Sequence, residues 1–413
     1  MGKLKHAAAW IMPALAVAGY AGHARADEHM VLVDTIDVQS TKGIATFDIS
    51  FVDPKLGLYV LADRTNASVD FFNARDATFT KRVGGFAGQK FKADGKTADN
   101  TISGPDGVVI VRDREVWAGD GDSTVKVIDI NTSTITHTIN THGKFRCDEM
   151  AWDSDDHILA VANNADVPPF VTLIDTDSYN VIGKITFDGK NNTPDATDTG
   201  IEQPQWSPKT GLFYVSVPQI VPSDATQGGV SVIDPSSMSV TTTFPVSKCT
   251  PAGLTLGPNN EALIGCSGAF GTSPNVVTQS LIINIKSGKV VATLPVGGSD
   301  QVWFDAATQH YYLAARNNAD NTGKLVPSLG TIDARTHEFD GIAPTSTSAH
   351  SVAADRVSHH VFVPIGLVAA GASDPTNPCP ATGCIAVFLP SSIDADDGKR
   401  HEDRRSDDDD KDR

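Results

Sequence analysis

The sequence predicts an all-β chain, a seven-bladed β-propeller built from four-stranded antiparallel blades. A strand pair joined by a polar turn recurs six times along the 413 residues and usually carries Val-Ile-Asp or a similar triplet. A further hairpin precedes the copies, and its β-branched and aromatic residues alternate between turns rich in Gly, Pro, Asn and Asp. No such unit can bury both of its faces alone, so the units must stack, and radial stacking gives a propeller.

Six complete blades and one incomplete blade follow from the positions of the repeated pair. Its copies begin at Ser68, Thr124, Val171, Val230, Ser280 and Gly330. A seventh copy begins at Cys384 and lacks its second strand, whereas Val31–Val38 is a spare strand ahead of the first blade. We expect this N-terminal strand to complete the seventh blade and close the ring.

Two stretches carry a resemblance to a known family. REVWAGDGDSTVKVIDINTSTITHTI, from Arg114, and LIINIKSGKVVATLPVGG, from Leu281, resemble the repeats of YVTN-type seven-bladed β-propellers. More distantly, the repeats are similar to nitrite-reductase-like and lactonase-like propellers. The resemblance covers Val31 to Pro390 and implies the fold. It implies no single activity, because such folds serve enzymes, binding modules and proteins of other roles.

The two ends of the chain differ from the repeats. Residues 1–26 begin with basic residues, continue with an apolar run and end in small residues, which predicts a cleaved signal peptide. Residues 27–390 are the predicted propeller, and residues 391–413 are a predicted disordered charged tail. We therefore expect a periplasmic or secreted protein without a membrane span after cleavage. The net charge of −17 argues against a nucleic-acid partner.

The five cysteines fit an oxidising compartment. Cys379 and Cys384 flank a short Pro/Gly loop, and Cys249 and Cys266 flank two adjacent strands, so both pairs are plausible disulfides. Cys147 is then the unpaired cysteine, and its role is open. No Cys-x-x-Cys-His segment occurs, which excludes a covalent c-type haem.

A set of acids recurs in register at the start of the innermost strand. Trp152, Trp206 and Phe304 align the blades with one another. The residue four positions before this aligned residue in each blade is called the ring position. From blade one to blade seven it is occupied by Asp48, Asp106, Asp148, Glu202, Ala252, Asp300 and His350. Equivalent residues of a propeller share a radius, so we expect these side chains to converge at one mouth of the central channel.

Converging carboxylates repel one another and raise one another's pKa unless a cation, a basic side chain or a proton relieves them. Oxygen ligands with one imidazole suit Ca²⁺, Mg²⁺ or Mn²⁺. The sequence thus predicts a divalent-cation site formed by the six titratable ring residues, namely Asp48, Asp106, Asp148, Glu202, Asp300 and His350. The alternative is that each Asp satisfies backbone N–H groups of a nearby turn.

Further polar residues are expected near the same mouth, where several long loops also lie. The candidates for contacting a small polar ligand are Arg64, Asn163, Arg316, Asn317, Gln203 and Gln301. Arg64 and Arg316 can instead neutralise the ring, and the asparagines can instead form turns.

Three functions are consistent with these features. The first is a metal-dependent hydrolase, lactonase-like by family resemblance, or a lyase, with His350, Glu202 or Glu149 as the proton-transferring group. The second is a non-catalytic periplasmic propeller that binds a ligand or a protein. The third is an accessory or electron-transfer partner.

Overall fold

The computed structural model describes residues 29–268, 278–320, 322–367 and 377–393. The predicted signal peptide, residues 394–413 of the predicted tail and the central parts of the loops after Gly268 and Leu367 lie outside the described residues. The described chain folds into seven four-stranded antiparallel sheets, and the innermost strands of successive sheets contact one another around a ring. The predicted fold, a seven-bladed β-propeller, is confirmed.

Blades one to three are consecutive along the chain. Blade one comprises β2 (Ser50–Asp53), β3 (Leu58–Asp63), β4 (Ser68–Asn73) and β5 (Thr78–Gly84). Blade two comprises β6 (Val108–Val111), β7 (Glu115–Gly119), β8 (Thr124–Asp129) and β9 (Thr134–Asn140). Blade three comprises β10 (Met150–Asp153), β11 (Ile158–Asn163), β12 (Phe170–Asp175) and β13 (Asn180–Thr186).

Blades four to six follow the same order from the innermost to the outermost strand. Blade four comprises β14 (Pro204–Ser207), β15 (Leu212–Val217), β16 (Gln227–Asp234) and β17 (Ser239–Ser247). Blade five comprises β18 (Pro251–Leu256), β19 (Glu261–Cys266), β20 (Ser280–Asn284) and β21 (Val290–Leu294), with a 3₁₀ turn at Pro258–Asn260. Blade six comprises β22 (Val302–Asp305), β23 (His310–Ala315), β24 (Ser328–Asp333) and β25 (Phe339–Pro344).

Blade seven joins the two ends of the fold. It comprises β26 (Ala353–Ala354), β27 (Val361–Ile365), β28 (Cys384–Pro390) and, outermost, β1 (Met30–Ile36). Met30 pairs with Pro390 and Ile36 pairs with Ile385. The prediction that the N-terminal strand closes the ring is therefore confirmed.

The blade alignment made from the sequence also agrees with the strand pairing. Trp152, Trp206 and Phe304 pair with Leu159, Phe213 and Tyr311 respectively, each one step before the end of its innermost strand. The three residues are therefore structurally equivalent. The ring residues consequently share one register at the start of the innermost strands, which they precede in six blades, whereas Ala252 lies within β18.

The repeated Val-Ile-Asp triplet has a local cause. Its Asp ends the third strand of the blade, and the carboxylate accepts backbone N–H bonds from the turn that follows. Asp175, for example, accepts from the N–H groups of Asp177 and Ser178 at 2.9 and 2.8 Å. The triplet thus joins two buried residues to the group that closes the turn to the outermost strand.

The core lies between neighbouring blades. The inner three strands are buried on both faces, whereas outermost strands such as β5 and β9 consist mostly of exposed and half-buried residues. Tyr59 of blade one stacks on Phe362 of blade seven with 4.6 Å between the ring centroids. Each such buried side chain contributes roughly 1.5–3 kcal/mol. The ring is held by these interfaces rather than by any single blade.

Two disulfides cross-link the described part of the chain. Cys249 pairs with Cys266 and Cys379 pairs with Cys384, the two disulfides that the sequence made plausible. Cys147 is a buried free thiol. No helix in the described part of the chain has the length and apolar character that a bilayer span requires.

The residue after each ring residue contacts the next blade, and we call it the brace position. From blade one to blade seven it holds Ile49, Gly107, Glu149, Gln203, Gly253, Gln301 and Ser351. The backbone N–H of Gln301 donates to the carbonyl of the ring residue His350 at 3.0 Å. A Cβ on Gly107 or Gly253 would lie 2.1 Å from the carbonyl oxygen of the next ring residue, Asp148 or Asp300. Glycine is therefore required at these two brace positions by the close approach of the backbones.

We expect Gly253→Ala to lower the free energy of unfolding by about 1–3 kcal/mol, because the added methyl group must push blades five and six apart. Chemical denaturation measures the loss. The matched control is Gly84→Ala, since the nearest atom to an added Cβ there is 3.9 Å away. Equal stability of the two variants would contradict the close approach.

Candidate functional site

The ring residues converge at one mouth of the channel, as the alignment predicts. A cavity of about 290 Å³ at this mouth is lined by Asp48, Asp300 and His350 of the ring together with Arg64, Arg146 and Arg316. An adjoining cavity of about 210 Å³ is lined by Asp48, Asp148, Glu149, Glu202, Ala252, Asp300, Arg146 and Arg316. Basic side chains are therefore interleaved with the acids.

Arg64 is the innermost counter-charge. It directly follows strand β3 of blade one, is only 4% exposed and forms ion pairs with both Asp48 and Asp106. Its Nε also donates to Asp106 Oδ1 at 2.9 Å. Of the two roles that the sequence left open for Arg64, the geometry supports neutralisation of the ring.

Arg146 is a counter-charge that the sequence analysis missed. Its Nη2 lies 2.6 Å from Asp148 Oδ2, and its Nη1 lies 3.3 Å from Asp48 Oδ2 and 3.6 Å from Asp106 Oδ1. The available signal was its place two residues before Asp148, because alternation along an extended chain puts the two residues on one side.

Arg316 is the most accessible of the three guanidinium groups. It follows strand β23, its side chain is 35% exposed, and its Nη2 lies 3.0 Å from Asp300 Oδ2. No other ion pair of Arg316 occurs among the described residues. Its remaining N–H donors therefore face the cavity that it lines.

Both ring nitrogens of His350 have protein partners. Nδ1 lies 2.7 Å from the carbonyl oxygen of Ser348 and must donate to it, because a carbonyl only accepts. Nε2 lies 3.4 Å from Asp48 Oδ1, and the ring stacks on Phe47 at 4.6 Å. His350 is held as a partner of Asp48, a geometry that does not favour the predicted proton transfer to a ligand.

Four acids of the ring have shifted pKa values, of which one is lowered and three are raised. Burial would raise the pKa of Asp48, but Arg64, His350 and Arg146 outweigh it and hold that pKa below its usual range. Burial raises the pKa of Asp106 well above its usual value despite Arg64, and it raises the pKa of Asp148 to about 6 despite Arg146.

The two glutamates are among the acids with raised pKa values. Burial, followed by the charges of Asp148 and Glu202, raises the pKa of Glu149 well above its usual value. Burial, followed by the charges of Asp148 and Asp300, does the same to the pKa of Glu202. The cluster has more acids than bases, and protons supply the missing positive charge.

The predicted ligand contacts at Gln203 and Gln301 serve another purpose. Gln203 Oε1 accepts the backbone N–H of Leu254 in the next blade at 2.8 Å. Gln301 Oε1 likewise accepts the backbone N–H of Val352 at 3.1 Å, and its Nε2 donates to the carbonyl of Ser50 at 2.8 Å. The two amides are braces between blades.

The two predicted asparagines do not line the cavities of the mouth. Asn163 is fully buried, donates to Thr141 Oγ1 at 2.8 Å and accepts from Thr172 Oγ1 at 2.7 Å. Its neighbour Asn164 instead donates to the ring residue Asp148. Asn317 donates its backbone N–H to the carbonyl of Gly298 at 3.0 Å.

Cys147 belongs to the same buried network as Asn163. Its Sγ lies 3.3 Å from Thr141 Oγ1 and 3.4 Å from Asn163 Nδ2. Burial raises the pKa of this thiol to about 12. Cys147 is therefore a structural thiol, since a reactive cysteine needs a lowered pKa and access to solvent.

The loop between β5 and β6 also reaches the mouth, which the sequence analysis did not anticipate. Ala98 and Asn100 of this loop line the 290 Å³ cavity. Isolated bridges between Gly88 and Gly104 and between Phe91 and Ala98 hold the loop together. Its length, about 23 residues between the two strands, is the signal that could have found it.

The predicted metal ligands are engaged by basic side chains. Asp48, Asp106 and Asp148 face Arg64 and Arg146, and Asp300 faces Arg316. Among the described residues, no three His, Cys, Asp or Glu side chains are placed to hold one metal ion. The divalent-cation site stays a prediction.

Comparison with known proteins supports the fold alone. No protein-family model and no curated protein sequence matches the chain. Among solved structures, one described as the crystal structure of the mitotic checkpoint complex is similar with a TM-score of 0.58 and 12% identity, covering 93% of this chain and 98% of that one. Hydrazine synthase of Kuenenia stuttgartiensis is similar with a TM-score of 0.59 and 15% identity, covering 79% of this chain and 96% of that one. At these identities the likeness carries no function.

Glu149→Gln should flatten the pH dependence of stability. The folded state keeps the Glu149 proton at pH values where the unfolded state has released it, so the contribution of Glu149 to the wild-type stability falls as the pH rises above about 4.5. The fall is at most about 1.4 kcal/mol per pH unit. Glutamine does not titrate, so urea unfolding between pH 5 and 7 should show a smaller fall for the variant. Parallel curves for the two proteins would contradict the raised pKa.

Proposed function

We propose that this chain is an exported binding propeller whose acidic mouth receives a small neutral polyhydroxylated molecule, such as a sugar. One observation carries the proposal, namely the alternation of guanidinium and carboxyl groups around the 290 Å³ cavity. A hydroxyl group both donates and accepts, so a polyol satisfies carboxylates and guanidinium groups at the same time.

The charge balance of the mouth supports a neutral ligand. Arg64, Arg146 and Arg316 pair with Asp48, Asp148 and Asp300 respectively, and Glu149 and Glu202, whose pKa values burial raises well above the usual range, contribute little charge. A strongly charged ligand would leave a buried charge without a partner, which is costly. A neutral polar ligand has no such cost.

Binding is better supported than turnover. A general base must reach the proton that it removes, and both ring nitrogens of His350 face protein atoms. Three predictions stay predictions. They are the catalytic roles of His350, Glu202 and Glu149, the hydrolase or lyase activity, and a role as an accessory or electron-transfer partner. A protein partner docking on this face also stays a prediction.

Export to the periplasm or medium and membership of the YVTN-type family are part of the proposal. The two disulfides support an oxidising compartment. The similarity of the repeats to YVTN-type sequences supports the family, alongside the seven-bladed architecture.

Arg316→Ala should weaken ligand binding by about tenfold or more, because a charge-assisted hydrogen bond is worth roughly 1.5–3 kcal/mol. A panel of monosaccharides and sugar lactones, tested by thermal shift and then by calorimetry, provides the ligand. Arg335→Ala is the matched control, since Arg335 forms a similar 3.1 Å ion pair with Asp333 in the same blade. Absence of binding across the panel, or equal loss in both variants, would refute the site.

A divalent cation is the second candidate, favoured by the excess of acids over bases around the two cavities. If a cation binds, elemental analysis should find it in stoichiometric amount, and a chelator should lower the melting temperature. Asp148→Asn combined with Asp300→Asn should then lower the affinity for the metal. Metal-free protein with a melt unaffected by chelation would exclude this candidate.

A further inference from the structure

A second cavity lies in the channel beyond the ring, towards the turns between the first and second strands of the blades. It measures about 270 Å³, and its walls are polar and apolar in about equal measure, with Phe51, Met150, Leu256 and Trp303 among the apolar residues. Phe51 and Trp303 meet edge to face with 5.4 Å between the ring centroids. The alanine at the equivalent place in blade seven, Ala353, leaves room for the two rings to meet across that blade.

Two amides that line this cavity, those of Gln203 and Gln301, bind the next blade, whereas one oxygen of the Glu149 carboxyl group has no such partner. Gln203 and Gln301 each accept an N–H from the third residue of the next blade, counted from its ring position. Glu149 holds the same brace position, but the corresponding residue of the next blade is Pro204, which has no N–H. Glu149 Oε2 accordingly has no hydrogen-bond partner among the described residues.

Glu149 thus has a buried carboxyl group without the backbone N–H donor that Gln203 and Gln301 have at the same position in their blades. Glu149 is 3% exposed and lines the 270 Å³ cavity. An unpartnered buried carboxyl is costly, and a ligand that brings an N–H donor and a positive charge removes the cost. The aromatic pair offers ring surface to the uncharged body of such a ligand, and the net charge of −17 attracts cations.

We propose that this cavity binds a small primary amine with an aromatic or alkyl body, its ammonium group on Glu149 and its body against Phe51 and Trp303. The volume limits the ligand to a small molecule, because the pockets that hold drug-sized ligands measure about 300–1,000 Å³. The site is distinct from the 290 Å³ polyol cavity, although Glu149 also lines the adjoining 210 Å³ cavity of the mouth, and its contacts do not involve Arg316.

Calorimetry with 2-phenylethylamine and its neutral analogue 2-phenylethanol tests the proposal on the full chain. We expect the amine to bind about tenfold or more tightly than the alcohol, since only the amine forms a charge-assisted bond with Glu149. Glu149→Gln should abolish this preference and leave the affinity for the alcohol unchanged. Glu338→Gln is the control for net charge, because Glu338 is exposed on blade six.

A second variant keeps the test decisive if Glu149→Gln does not fold. Leu256→Trp should fill the cavity and abolish binding of both compounds. Equal affinity for amine and alcohol in the wild type, no binding of the amine, or a preference retained in Glu149→Gln would overturn the proposal. Failure of the sugar panel at the mouth would leave these measurements unaffected.

Discussion

The ion pairs of Arg64 with Asp48 and Asp106 are the interaction on which the mouth of the channel depends. Radial repetition brings one residue of every blade to the same small circle, so an acid that the repeat copies becomes a crowded charge. A buried arginine between two such acids links blades one and two and relieves their repulsion. Arg146 extends the network to blade three, and Arg316 serves blade six separately.

The brace position shows how a repeat admits exceptions. The backbone of each inner strand passes close to the ring residue of the next blade, and a side chain here must fit that contact. Glutamine bridges to the next blade, whereas glycine is needed where the backbones approach most closely. Glu149 is the exception, because Pro204 cannot supply the donor.

Much of the architecture follows from local patterns in the sequence. Strand alternation, the Asp that closes each outer turn and the spare strand at Val31–Val38 were enough to predict seven blades, their register and the closure. These features depend on neighbours in the chain or on a strict repeat, so they can be recognised from one sequence. The same register predicted that the acids converge.

The partners of the acids could not be predicted in the same way. Arg146 reaches acids of three blades because of a loop conformation that no repeat copies. Which of Asn163 and Asn164 contacts the ring depends on which side of the strand end is turned inward. The amides of Gln203 and Gln301 looked like ligand contacts because the sequence does not show the N–H groups opposite them. Side-chain pairing across blades is a tertiary property.

The pairing of β1 with β28 also determines how the ring responds to mechanical force. Ser391 donates its backbone N–H to the carbonyl of His29 at 2.9 Å, so both strands of the closure leave the blade at the same point. Tension between those two points loads the ladder from Met30–Pro390 inwards, breaking its hydrogen bonds one after another. Under such force β1 separates from β28 one residue pair after another, at the outer edge of the ring. The ion pairs at the mouth are loaded only after blade seven has lost this fourth strand.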